Sequence, residues 1–278
     1  MKEPETVRGI TILILVLGCC GAIACRARAR LPTVSRAEPA LGAVFSVAAW
    51  GGDSSAVARA VDRALAAVRH ADSAPEDSRA LTRRTGLRLP TERAARGLAL
   101  DQALLALRPD VDSAILNLGG QYLIMASTER GVGIADPDNS LRTLAIVTVP
   151  PGTWGLSTVS PVEQTDPVLD PRTGAVAEAV RAVTVIAPSA EAAGAWSLAF
   201  YVLGCDSALA LAPQVGVGSV CADDRVRWTP DLEGRVVVTT DSAGRAATGP
   251  GPGRGPARAG AAAANGSRAP AASPDSSR

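Results

Sequence analysis

Residues 166–204 read DPVLDPRTGAVAEAVRAVTVIAPSAEAAGAWSLAFYVLG, a polar turn, a strand and an apolar helix in immediate succession. Within Leu169–Gly174, Asp170 can accept backbone N–H groups, Pro171 fixes φ and Gly174 admits φ > 0, so the chain turns there. A turn of this composition can also hold a phosphate or a metal. Val183–Ala187 is apolar and β-branched and predicts a strand. Ala190–Leu203 is Ala-rich and predicts a helix that Gly204 closes.

Upstream of that stretch, apolar Ala40–Trp50 predicts a strand, and Gly51-Gly52-Asp53 turns the chain. Ser54 or Ser55 can cap the next helix, whose apolar positions Val57, Val61, Leu65 and Val68 share one face. His70, near its end, reads as a solvated residue. Residues 71–92 are polar and weakly patterned, with a short strand expected at Leu87–Leu89. A second amphipathic helix is expected over about Glu92–Leu107. Strands are expected at Ser113–Leu118, Tyr122–Ala126, Gly131–Ala135 and Leu144–Val149, with turns at Gly119-Gly120 and Asp136–Asn139. Downstream, Leu209–Pro213 continues a short helix and Val236–Thr240 is a closing strand. Helices interleaved with hairpin-like strand pairs give an α+β class, with a mixed or antiparallel sheet in a single domain.

The ends differ from the middle. Lys2 and Arg8 precede the apolar run Ile10–Leu17, followed by small residues as far as Cys25, which describes an export signal over residues 1–25. The run is short for a membrane span. Cys19 and Cys25 each stand where a lipoprotein signal places its acylated residue. The expected location is therefore the membrane or the periplasmic, extracytoplasmic side, with a lipid anchor, an uncleaved anchor and a cleaved soluble form as alternatives. Residues 26–36 read as an Arg-rich linker, residues 37–241 as the folded domain, and residues 242–278 as a disordered Gly/Pro/Ala/Arg tail. The formal net charge is +1, with 28 basic residues of which Lys2 alone is lysine, so no basic field argues for nucleic acid. Cys205 and Cys221 could pair in an oxidising compartment or stay as free thiols. With one histidine and no C-x-x-C spacing, zinc and His-based catalysis are disfavoured.

Several segments, taken in order, resemble the ApbE family, the FAD:protein FMN transferases. Leu169–Gly174 is its LDPRTG signature, and Leu41-Gly42-Ala43 resembles its Met-Gly-Thr strand opening. Ala95–Asp101 is similar to A-K-G-x-A-x-D, with Arg96 at the lysine. Asn117–Gly120 matches N-x-G-G, Gly133–Pro137 matches G-I-x-D-P, and Thr158 stands at the threonine of T-S-G. The resemblance covers roughly residues 40–240 and implies an enzyme that binds FAD as donor. Its FMN moiety would pass to a threonine of a flavin-acceptor protein, with Mg²⁺ polarising the pyrophosphate and AMP leaving. The residues it implies at the flavin nucleotide are Leu41, Arg96, Gly97, Asn117, Gly119, Gly120, Thr158, Val168, Asp170 and Thr173. Arg96 could grip phosphate bidentately where lysine acts as a point charge.

The departures lie in the helix after the signature. The family reads A-D-A-x-A-T-A there, with Asp and Thr as metal ligands on one face. Here Gly194 and Leu198 replace them, so no metal ligand is expected and both Mg²⁺ and activity come into doubt. Ser197 points about 100° away from the lost threonine. Pro167 stands where the family has histidine. The chain between Phe45 and Arg96 is shorter than in the family, so a central lobe that lines the flavin pocket is reduced. The alternative reading is a catalytically inactive lipoprotein of this fold that binds flavin weakly or acts as an interaction module.

Overall fold

The computed structural model describes residues 33–72, 78–108, 110–161, 167–178 and 180–239. The expected export signal with Cys19 and Cys25, residues 26–32 of the expected linker, and the expected tail lie outside the described residues. Among those described, no helix is long and apolar enough to cross a membrane.

The chain enters as a hairpin, β1 (Thr33–Ala40) and β2 (Ala43–Trp50), joined by a two-residue loop, Leu41-Gly42. Residues 33–36 thus belong to a strand and not to a linker, and the single strand expected at Ala40–Trp50 is interrupted by a turn. β1 alternates poorly because it is a sheet edge with most of its side chains exposed, which hides it from a search for apolar periodicity. Helix α1 (Ser54–Asp72) follows. Its first turn is held by Asp53, whose Oδ1 accepts from the Ser55 N–H at 2.8 Å, in place of the serine cap expected. α2 (Ser78–Thr85) was not anticipated, and Leu87–Leu89 is irregular rather than a strand. Leu81 and Leu89 are nevertheless buried, which is what their spacing can report without naming an element.

α3 (Glu92–Leu107), β3 (Ser113–Leu118), β4 (Gln121–Ala126) and β5 (Arg130–Asp136) fall where the pattern places them, and β6 (Asn139–Val149) begins at Asn139, ahead of the expected Leu144. β7 (Gly152–Val159) had no forecast. β8 (Ala182–Ala187), α4 (Ala190–Leu203) and α5 (Cys205–Leu211) come next. The short β9 (Gly218–Ala222) and β10 (Val226–Trp228) also went unforecast, and β11 (Val236–Val238) closes the fold.

Eight strands form one sheet in the order β1-β2-β3-β4-β7-β8-β9-β10, and β11-β6-β5 form a second. Every pairing between these strands is antiparallel, which decides between the mixed and antiparallel alternatives. One face of the large sheet carries α1 and α3 over β2–β4, and α4 with α5 over β7–β9. The small sheet packs on the other face of β4 and β7–β9. α4 is buried almost all round, from Ala193 to Val202, as expected for a helix apolar on every side. The Cys205–Cys221 disulfide ties α5 to β9.

Candidate functional site

The two-residue loops Leu41-Gly42 and Gly119-Gly120 come together at one end of the large sheet, because β2 runs antiparallel to β3 with Phe45 opposite Leu118. All four residues have positive φ, at 48°, 67°, 59° and 81° in chain order, as type I′ hairpin turns require. Three are glycines. Leu41 is the sole non-glycine with positive φ among the described residues, a conformation that costs about 1–2 kcal/mol for an L side chain. It is held from both sides: its N–H donates to Asp72 Oδ1 at 3.1 Å, and its carbonyl accepts from Arg96 Nε at 3.1 Å.

That second bond aims the Arg96 guanidinium between the two turns. A Cβ on Gly119 would lie 3.0 Å from Nη1, and one on Gly42 would lie 3.7 Å from Nη2. Arg96 is half-buried, and neither Nη1 nor Nη2 has a hydrogen-bond acceptor among the described residues. A guanidinium oriented through Nε, with both terminal nitrogens uncommitted, is prepared for a bidentate oxyanion. Asn117 sits on β3 opposite Ser46 and Tyr122, on the sheet face away from the helices. The structure therefore groups Leu41, Arg96, Gly119 and Gly120, with Asn117 at the same sheet end on the opposite face.

The remaining candidates are committed elsewhere. Gly97 faces α4: a Cβ there would meet the Ala190 carbonyl oxygen at 2.3 Å, so this glycine serves helix packing. Thr158 is on the small-sheet side of β7, its Oγ1 2.9 Å from Thr184 Oγ1. The signature turn is the loop of a short hairpin running from Val168 to Ala177. Asp170 binds its own neighbour there: Oδ1 accepts from the Arg172 N–H at 2.8 Å, and the Arg172 guanidinium grips the carboxylate at 2.7–3.2 Å. Those Arg172 hydrogen bonds hold the Asp170 carboxyl below its usual range. Thr173 Oγ1 accepts from the Ala175 N–H, and Arg172 Nη2 reaches the Val202 carbonyl at the C-terminal end of α4. Val168 packs on the apolar core under α4. Leu169–Gly174 is largely exposed, and its oxygens are used by the turn itself.

α4 runs antiparallel along α3, since Gly97 meets Ala190 while Arg93 meets Gly194. Asp101 fastens its start by accepting from the Ala190 and Glu191 N–H groups at 2.9 and 3.0 Å. Burial nonetheless raises the Asp101 pKa, the two N–H groups opposing that effect. Where the helices cross lies a polar cluster that the sequence reading missed. Gln121, fully buried, donates from Nε2 to the Arg93 carbonyl at 2.9 Å. Arg93, 6% exposed, donates from Nη1 to Ser157 Oγ at 3.2 Å, and Ser197 Oγ lies 2.9 Å from that same oxygen. Arg93 precedes Gly97, Leu100, Leu104 and Leu107 on the buried face of α3, and that spacing is the signal for its burial.

Magnesium does not fit this junction. Gly194 has no side chain, and a Cβ there would lie 2.5 Å from the Arg93 carbonyl oxygen and 3.2 Å from Gln121 Nε2. Leu198 is buried in the apolar core. No group of three or more His, Cys, Asp or Glu side chains among the described residues is placed to hold a metal. At the other end of β7, a cavity of about 490 Å³ lined by Trp154, Ile186, Pro188, Val217 and Leu232 contains none of the predicted site residues.

The ApbE family model matches residues 33–220, more than half of the chain, and the protein belongs to the ApbE family. The chain is similar to the ApbE protein of Thermotoga maritima, with a TM-score of 0.61 at 15% identity, covering 73% of this chain and 99% of that one. It is similar to the flavin transferase ApbE of Vibrio cholerae, TM-score 0.55 at 14% identity, over 74% and 99% of the two chains. The apo flavinyl transferase ApbE of Pseudomonas stutzeri gives 0.54 at 15% identity, over 74% and 97%. At such identities the likeness establishes the fold. No curated protein matches the chain.

Proposed function

We propose that this protein binds FAD at the sheet end framed by Leu41-Gly42 and Gly119-Gly120 and acts in flavin transfer to an acceptor protein. The observation that carries this reading is Arg96, aimed by the Leu41 carbonyl with both terminal nitrogens uncommitted beside two glycine-bearing turns. A phosphate of the flavin nucleotide placed there would receive two parallel N–H donors, which fits a planar guanidinium better than an ammonium. Family membership and the flavin transferases among the similar structures support the same ligand. In the transfer, a threonine Oγ of the acceptor bonds to the FMN phosphorus and the bridging P–O bond breaks. AMP leaves with that electron pair, and the hydroxyl proton departs with AMP or to water. Arg96 would hold the phosphate charge during this displacement. An extracytoplasmic location with lipid attachment at Cys19 or Cys25 is part of this proposal, supported by the charged and apolar pattern of residues 1–25.

A second reading is favoured by the α3–α4 junction: the chain binds the flavin nucleotide without transferring it, because no cluster of His, Cys, Asp or Glu among the described residues is placed to hold a metal and the space at Gly194 is closed. One experiment separates the two. The purified full chain is mixed with FAD and an ApbE acceptor domain, and bound flavin, free AMP and covalent flavin fluorescence are measured. Transfer predicts all three signals, each reduced in Arg96→Ala. Bound FAD without AMP leaves the second reading, and no bound FAD removes both.

A further inference from the structure

The geometry points to a metal site replaced from within: the network Gln121–Arg93–Ser157–Ser197 fills the place on α4 where the family holds a cation, so ligand binding at this sheet end is independent of Mg²⁺. This rests on the proposed flavin-nucleotide binding for its ligand, but not for its structural content.

Three observations carry it. First, the space is closed. Gly194 lets the backbone of α4 approach the Arg93 carbonyl so nearly that even a methyl group would collide with it. Second, the oxygen a cation would seek there is already satisfied, since the Arg93 carbonyl accepts from Gln121 Nε2 at 2.9 Å. Ser157 Oγ is likewise engaged by Arg93 Nη1 and Ser197, and Ser197 Oγ lies 3.1 Å from the Gly194 carbonyl. The uncommitted oxygen of the cluster is Gln121 Oε1, a neutral amide group, whereas Mg²⁺ needs a near-octahedral shell of oxygens. Third, the cluster contains a positive charge of its own. The Arg93 guanidinium is buried one helical turn from Arg96, and a further cation beside it would be repelled in a poorly screened interior.

The test uses the full chain and Mg²⁺ itself as probe. Titration of Mg²⁺ into the flavin-free protein is expected to give no binding heat; a stoichiometric binding isotherm would overturn the inference. FAD affinity, read from flavin fluorescence, is expected to agree within about twofold between EDTA and excess Mg²⁺, and a drop of about tenfold or more in EDTA would overturn it. Gln121→Leu and Gly194→Asp with Leu198→Thr are each expected to lower the melting temperature by several degrees, equally with and without Mg²⁺. A melting temperature of the double variant that rises on adding Mg²⁺ would count against the replacement, because it would mean the site had only lost its ligands. If FAD binds in neither buffer, the functional reading fails, while the Mg²⁺ titration and the two variants still decide this one.

Discussion

The α3–α4 junction and the turn Leu169–Gly174 carry opposite relations between letters and structure. The turn keeps every residue of its signature, yet Asp170 and Thr173 bond to residues of the same loop. The junction has lost both residues that mark it in the family, yet it is the more tightly built place. Gly97 and Gly194 let two helices touch backbone to backbone, and a buried arginine is bound beneath them. The preserved motif is locally self-sufficient, so it can persist as a turn. The altered motif was rebuilt with partners drawn from α3, β4, β7 and α4 together, which no single segment displays.

The sharpest way to break this contrast is Gly194→Ala. Helix propensity alone favours alanine by about 1 kcal/mol. The 2.5 Å approach to a backbone oxygen predicts instead a loss of about 3 kcal/mol, because neither helix can move aside cheaply. Urea unfolding of the two proteins decides the sign, and a stabilised variant would mean that the helices are not in contact. Next comes the disulfide, which closes a separation of 16 residues between Cys205 and Cys221. Cys205→Ser with Cys221→Ser should lower stability by about 3 kcal/mol under oxidising conditions and leave the reduced protein little changed.

The two arginines of α3 should then part company. Arg93→Met should destabilise by about 2 kcal/mol through the lost bond to Ser157. Arg96→Met should cost under about 1 kcal/mol in unfolding yet weaken FAD binding about tenfold or more, since its terminal nitrogens serve no acceptor among the described residues. Equal effects on stability would erase the distinction between an inner and an outer cation. The smallest expected effect is a pH dependence at Asp101. Burial raises its folded pKa above 3.8, so the folded protein keeps a proton that the unfolded chain has released. Stability should therefore fall as pH rises from about 3.8 through the raised value, by linkage. Asp101→Asn should remove that slope from chemical denaturation curves measured across the window.

Much of the framework could be read from residue order. α1 and α3 follow apolar periodicity, α4 follows an Ala-rich run closed by Gly204, and β3–β6 and β8 follow β-branched runs between turn residues. β1 was hidden because an edge strand presents polar side chains, and β9 and β10 because five and three residues are too few for a period. α2 was missed because SRALTRRT offers a single large apolar residue, Leu81. For the site, Arg96 and Gly119-Gly120 were legible through their family spacing. Arg93, Gln121 and Ser157 were not, although each occupies a core-facing position of its element. A polar residue at such a position declares its burial by spacing but cannot name the partner that makes burial tolerable.

By itself the sequence determined the family, the helices with a clear apolar face, the Gly119-Gly120 turn and the absence of the expected metal ligands on α4. These are local properties: φ permission, periodicity and residue chemistry travel with the segment. Tertiary structure alone decided that Asp170 is engaged by Arg172, that Cys205 and Cys221 pair, and that Gly194 is a contact surface between helices and not merely a missing ligand. It also decided that the buried Arg93 finds Ser157 as a partner. Those outcomes depend on which groups from distant parts of the chain arrive within hydrogen-bonding or van der Waals distance, and that is settled only when the sheet and its helices pack.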